Sequence, residues 1–269
     1  MSLAQRAWNK QIPADLRIFD AHSHFGPSHY TTTYLHPLPM EESLALAHRC
    51  GIKRIAGMAL GALGESDAVK MNRWMLDACE QFPELMLYFY YKPMQHQALM
   101  EQLEQMKKHP SFFGIKIHPR EDFSSLESRE YDAIIDYAAE NDMLVLCHTW
   151  DTEAVCRPRS FERYLQQYPR FRLLIGHMGG TYLGCQDTLE LARRFDNVYC
   201  DINGSLYSGI WLEELVKKAP EHKFVFSTDE TFNDPRIILG RVFFSALPDR
   251  LKEMIFCDNI ERAVGKRLI

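Results

Sequence analysis

The sequence predicts an α/β protein folded as a single (β/α)8 barrel with extra helices at its C-terminal end. Three observations lead there. Eight short, almost wholly apolar runs each give way to a stretch of helical character, the alternation of a parallel sheet covered by helices. The length of 269 residues suits the roughly 250 residues of such a barrel. No linker, sequence repeat or low-complexity segment divides the chain, so one domain is expected over residues 1–269.

The elements follow in order. A first strand over 18–24 ends in His22 and His24, and strand alternation puts both on one face together with Asp20. Residues 25–39 form a loop rich in aromatics, Gly, Pro and Thr, carrying His29 and His36. Loops of that length in compact domains are often lids or binding loops. A helix over 40–50 opens on Glu41 and Glu42 and closes at Gly51. The run 52–60 is the second strand, and helix 67–82 has apolar residues at 3.6-residue spacing up to Phe82, where Pro83 stops it. Strand 85–91 is followed by helix 94–108, strand 112–118 by helix 128–140, and strand 143–148 by helix 160–168. Strand 171–177 leads to helix 185–195, strand 197–203 to helix 209–218, and strand 223–229 to three closing helices over 235–246, 249–255 and 258–267.

Composition narrows the function. The formal net charge is −5 and the basic residues are dispersed, which argues against a nucleic-acid partner, since phosphate neutralisation needs clustered Lys and Arg. No apolar run approaches the ~20 residues of a membrane span, so no membrane partner is expected. The first residues lack the apolar core of a signal peptide. Seven scattered cysteines with no Cys-x-x-Cys read as reduced thiols of a cytoplasmic protein. A homodimer is the assembly expected from the frequency of such oligomers.

In a barrel of this kind the active site lies at the carboxyl ends of the strands. Those ends carry His22 and His24, then Lys116 and His118, His148, His177, Asp201 with Asn203, and Asp229. One buried histidine is ordinarily a structural hydrogen-bonding residue, but so many strands ending in His or Asp on one face point to a metal site. A divalent metal is the expected cofactor, zinc first, with Mn, Fe or Co accepted by the same donors. Bound metal brings the pKa of water toward ~7, a neighbouring carboxylate such as Asp229 can shuttle the proton, and His177 can steady an oxyanion. Arg120, just past strand 4, is placed to hold a substrate carboxylate or to pair with Glu121 or Asp122. Tyr90, Trp150 and Asn203 sit at strand ends and are candidates for the pocket wall. Gly179 and Gly180 read as a tight turn rather than a phosphate cradle, because no Gly-x-Gly-x-x-Gly accompanies them.

The segments FDAHSH (19–24), GIKIHP (114–119), LVLCHT (144–149), LLIGHMGG (173–180), VYCDING (198–204), FVFSTD (224–229) and CDNIERAVG (257–265) together resemble the amidohydrolase superfamily, in its amidohydrolase-2 branch. The resemblance runs over nearly the whole chain in the family's order. It implies His22, His24 and His148 as metal ligands and Asp229 as last ligand and general base. It makes His177 a second-metal ligand in a binuclear site or a catalytic group in a mononuclear one. Lys116 stands where binuclear relatives carry a carbamylated bridging lysine, and a carboxylate clamp or a lysine paired with a buried acid are the other readings. His118 is implied as a substrate-contacting group. Ser227 stands where many relatives have Gly before Ser-Asp.

The function expected first is a metal-dependent hydrolase of a small-molecule amide, lactone or ester. The alternative on the same barrel is nonoxidative decarboxylation or hydration of an aromatic or unsaturated acid. That branch tends to carry arginines gripping the carboxylate, and Arg120 is the one clear candidate here. A DNase-like relative is disfavoured by the charge, and a metal-binding barrel without turnover by the full set of site residues.

Overall fold

A strand–helix–strand crossover lays consecutive parallel strands side by side, and the chain pairs its apolar runs in that way. The computed structural model describes residues 1–26, 38–64, 67–204 and 209–269. Eight parallel strands lie in chain order: β1 (Phe19–Phe25), β2 (Arg54–Ala59), β3 (Leu85–Tyr90), β4 (Phe112–Ile117), β5 (Leu144–His148), β6 (Arg172–Gly176), β7 (Val198–Asp201) and β8 (Phe224–Val225). Nearly every strand residue is buried, as a sheet covered on both faces requires. The ring closes where the Ala21 N–H donates to Phe226 O at 3.2 Å and the Asp229 N–H to His22 O at 2.8 Å. Closure removes the exposed strand edges, and the predicted (β/α)8 barrel is the architecture found.

The helices that cover the sheet are α1 (Leu3–Trp8), α2 (Met40–Arg49), α3 (Ala68–Gln81), α4 (His96–Met106), α5 (Asp132–Glu140), α6 (Glu162–Gln167), α7 (Tyr182–Arg194), α8 (Gly209–Leu215), α9 (Pro235–Phe243), α10 (Asp249–Glu253) and α11 (Asn259–Val264). Polar caps start several of them: Asp67 accepts from the Lys70 N–H, Thr181 from Gly184, and Asp234 from Arg236. A π-helical turn, Met254–Asp258, joins α10 to α11, so the two closing helices expected from the sequence are one continuous run. Helix α1 was not expected. Ser2 and Gln5 form a reciprocal capping box that starts it, and Leu3 anchors it by burial.

Two strand expectations need correction. The eighth strand, expected over 223–229, ladders with β7 only at Phe224 and Val225. Beyond them the chain crosses to β1, and the carboxylates of Asp20 and Asp201 draw Thr228 and Ser227 out of the ladder. Asp20 does not share the pocket face of His22 and His24. The β1–β2 register shifts between Asp20 and Ser23, a bulge that re-aims side chains. The Asp20 carboxylate then accepts from Ser23 Oγ at 2.8 Å and the Thr228 N–H at 2.9 Å.

All seven cysteines are free, six of them buried. Among the described residues no helix is long and apolar enough to cross a membrane. His29 and His36, placed by the sequence reading in the first loop, lie outside the described residues.

Candidate active site

The end of β1 presents His22 and His24 with ring centres 5.0 Å apart, both buried. Asp229 reaches them from the far side of the closure because its backbone takes φ +59°, which turns the chain just past β8. Its Oδ1 lies 3.6 Å from His22 Nε2 and 3.4 Å from His24 Nδ1. The three residues offer donor atoms within 4.8 Å of one another. His24 Nδ1 is buried with no hydrogen bond among the described residues, a state that costs about 1–3 kcal/mol unless something else satisfies it. Two imidazoles and a carboxylate are a donor set for a borderline divalent ion, so the residues present fit one.

Behind these groups a chain of hydrogen bonds sets the imidazole tautomers. Asp201, wholly buried, accepts from His22 Nδ1 at 2.8 Å. It also accepts from the Asn203 N–H at 3.0 Å and from Ser227 Oγ. With its Nδ1 proton committed to Asp201, His22 turns its Nε2 lone pair to the pocket, where Lys116 Nζ donates to it at 2.7 Å. A carboxylate behind a histidine is the usual means of orienting a metal-binding ring. A second chain starts at Asn203, whose Oδ1 accepts from His177 Nδ1 at 2.7 Å. His177 Nε2 then accepts from His148 Nδ1 at 3.0 Å. His148 Nε2 is left as a buried lone pair without a hydrogen bond among the described residues. It faces Glu153 Oε2 at 3.8 Å rather than joining the His22–His24–Asp229 group.

His177 owes its position to an unusual turn after β6. His177, Met178, Gly179 and Gly180 have φ of +59°, +48°, +78° and +73°, a left-handed run that only glycine adopts without strain. The expected tight turn at Gly179–Gly180 is therefore present, and a side chain at Gly180 would collide with the Trp150 ring at 2.3 Å.

The groups open onto a cavity of about 450 Å³. His22, His24, Lys116, His118, Arg120, His148, Trp150, His177 and Asp229 line it, as the sequence suggested, joined by Leu63, Glu121, Phe232 and Asn233. One side of the wall is aromatic: His118 stacks on His148 with ring centres 3.9 Å apart and planes at 10°, and the Trp150 ring is parallel to His148 within 8° at 6.3 Å. Phe232 meets His24 edge-on at 5.2 Å. Arg120 donates to Glu153 at 2.7 Å and lies 3.5 Å from Glu121. Two expected wall residues are absent from it. The Tyr90 hydroxyl donates to Asp122 at 2.6 Å, which with Tyr131 forms a buried support under the loop that carries His118. Asn203 sits behind the pocket between His22 and His177.

Burial dominates the electrostatics. It lowers His22, His24, His118 and His177 well below the usual histidine range, with cationic neighbours adding to the effect, so the rings are neutral. Burial also pushes Lys116 down to about 8, against the pull of Asp229. It raises Asp229 well above ordinary carboxylates, with Lys116 opposing. Asp201 and Glu153 were not singled out for roles from sequence. Asp201 was visible as a strand-end acid two residues before Asn203, whereas Glu153, Phe232 and Asn233 lie in loops and carry no local signal.

The barrel has solved counterparts of similar extent. A 5-carboxyvanillate decarboxylase from Sphingomonas paucimobilis superposes with a TM-score of 0.71 at 12% identity, covering 94% of this chain and 100% of that one. A 2,6-dihydroxybenzoate decarboxylase from Rhizobium gives 0.71 at 14% identity, covering 93% and 98%. A 5-carboxyvanillate decarboxylase from Novosphingobium aromaticivorans, solved with manganese and 4-hydroxy-3-methoxy-5-nitrobenzoic acid, gives 0.73 at 15% identity, covering 94% and 97%. At these identities the likeness is one of fold. No curated protein matches the chain. The amidohydrolase family model matches residues 19–266, nearly the entire barrel, and the chain belongs to the amidohydrolase family.

Proposed function

We propose that this protein is a metal-dependent lyase that removes the carboxyl group of a small aromatic acid without oxidation. The observation that carries the reading is the pocket itself. The stacked rings of His118, His148 and Trp150 line the same cavity as two cationic side chains, Lys116 and Arg120, and the His22–His24–Asp229 group. A planar ring with an acidic substituent matches that wall in shape and charge. The decarboxylase activity of several structural counterparts supports the same choice over the hydrolysis expected first.

A divalent ion would be held by His22, His24 and Asp229, and His148 would join them as a third histidine only by turning its ring from Glu153. Zinc is the first candidate, and manganese has a precedent in a counterpart. When bound, such an ion supplies positive charge that stabilises the electrons left behind as carbon dioxide departs. The residues of the chain do the rest. Arg120 and Lys116 orient the acid, and the aromatic wall keeps the ring flat and excludes water. The carbon–carbon bond to the carboxyl breaks, its electron pair stays on the ring carbon, and a proton from the Asp229 carboxyl takes the vacated position. His177, held by Asn203, lines the pocket beside His148.

The test is a panel of hydroxylated benzoates given to protein incubated with manganese or zinc, run in deuterated water. Carbon dioxide release with one deuterium at the vacated ring carbon is expected, and Asp229→Asn should lose roughly 10²–10⁴-fold in rate. Turnover of an ester or lactone panel with no carbon dioxide from any acid would overturn it. Hydrolysis is the second reading, favoured by one observation: Glu153 and Glu121 already neutralise Arg120, which weakens its grip on an acid.

A further inference from the structure

The bare Nε2 of His148 points away from the His22–His24–Asp229 group toward two residues that no role yet engages. Glu153 Oε2 lies 3.8 Å from it, and Cys156 Sγ donates to the same oxygen at 3.3 Å. One nitrogen, one oxygen and one sulfur converge so that all three ligand atoms lie within 4.8 Å of one another. We propose that His148, Glu153 and Cys156 form a second, thiolate-containing site for a zinc-like cation, sharing His148 with the active site.

Each donor is held for this purpose by a separate feature. The Asn203–His177–His148 chain commits the Nδ1 proton of His148, leaving the Nε2 lone pair to face Glu153. The backbone brings the other two together: the Cys156 N–H donates to Glu153 O at 3.0 Å, and the Trp150 N–H to Cys156 O at 3.1 Å. This short loop after β5 is thereby closed on itself. Cys156 is fully buried while Glu153 is about a quarter exposed, so an ion enters past the carboxylate and finds the sulfur behind it. Imidazole, carboxylate and thiolate are zinc donors, and the sulfur selects zinc or cadmium over manganese and magnesium. Ligation forms a metal–sulfur bond and sends the Cys156 thiol proton to solvent. The opposing charge is Arg120, paired with Glu153 Oε1 at 2.7 Å. Its side chain is 53% exposed, so it can swing away or leave Oε2 to the ion.

If His148 also serves the catalytic ion, as the proposed function has it, the two sites compete for one ring. Zinc in excess would then hold His148 on Glu153 and Cys156 and stop turnover, while manganese would not. That regulatory consequence rests on the proposed function, and the existence of the site does not.

The experiment uses the full chain, first incubated with manganese and then titrated with cadmium while ultraviolet thiolate-to-cadmium charge-transfer absorption is followed. The native protein is expected to show a band saturating near one equivalent. Cys156→Ser should lack it, and Glu153→Gln should need on the order of tenfold or more cadmium. Circular dichroism checks that each variant is folded, and Glu153→Gln keeps the test open if Cys156→Ser is not. Absence of the band in the folded native protein, or its persistence in folded Cys156→Ser, would overturn the site. Neither outcome depends on a substrate, so failure of the decarboxylase reading is seen separately, as a lack of carbon dioxide release.

Discussion

Replacing Gly184 by alanine should destabilise the barrel at the turn that carries His177. Gly184 lies in the first turn of α7 and packs against Gly179. A methyl group there would sit 2.0 Å from Gly179 O and 2.5 Å from its carbonyl carbon, and both obstacles are backbone. The Gly179 carbonyl is itself held, accepting from the Asp151 N–H at 3.0 Å and the Thr181 N–H at 2.8 Å, and the Gly179 N–H donates to Thr149 Oγ1 at 3.0 Å. Relief of the contact must break the two bonds to the carbonyl, worth about 1 kcal/mol each, on top of an overpacking cost of about 1–3 kcal/mol. The sum is roughly 3–5 kcal/mol, or about 6–20 °C in Tm for a chain of this size. Urea and thermal unfolding read the change. Gly64→Ala is the control for backbone strain alone, since Gly64 has φ +71° with no atom of the described residues within 4 Å of an added methyl. It should lose only about 1–2 kcal/mol. A Gly184→Ala protein that loses no more than this control would refute the close-approach reasoning and the rigidity assigned to the His177 turn.

In the interior of α9, an alanine at Gly240 would meet, among the described residues, only Phe244 at 3.9 Å, so Gly240→Ala should stabilise by about 0.5–1 kcal/mol in the same unfolding assay. Asp201→Asn leaves the shape but removes the charge that orients His22, and chelator competition should show metal affinity weaker by about 10–100-fold; unchanged affinity would dissociate Asp201 from the metal centre. Burial raises Asp122 from 3.8 to about 6, against the hydrogen bonds from Tyr90 and Tyr131. Between those values the folded state binds the proton more tightly than the unfolded chain, so this group makes stability fall as pH rises through about 4–6. Asp122→Asn should remove that slope, on the order of 2–3 kcal/mol across the window, and an unchanged pH profile of unfolding would contradict it.

The alternation of apolar runs with amphipathic helices determined the barrel on its own, because a strand buried on both faces must be apolar throughout and a crossover must be helical. The same reading placed one set of cavity-lining residues, since strand ends are set by the strands and His22, His24, Lys116, His118, His148, His177 and Asp229 all stand at or just past one. What it missed depends on contacts between residues far apart in the chain. Strand alternation put Asp20 with the two histidines, but the bulge and the Thr228 hydrogen bonds turned it away. Tyr90 ends its strand as expected, yet its hydroxyl is taken by Asp122, which is 32 residues away. The helix at Leu3–Trp8 is short enough that a capping box and one buried leucine decide it. The tautomers show the same limit most plainly. Which nitrogen of His22 or His148 keeps its lone pair is determined by Asp201 and by Asn203 through His177, a relation of distance and direction across the barrel that no local pattern encodes.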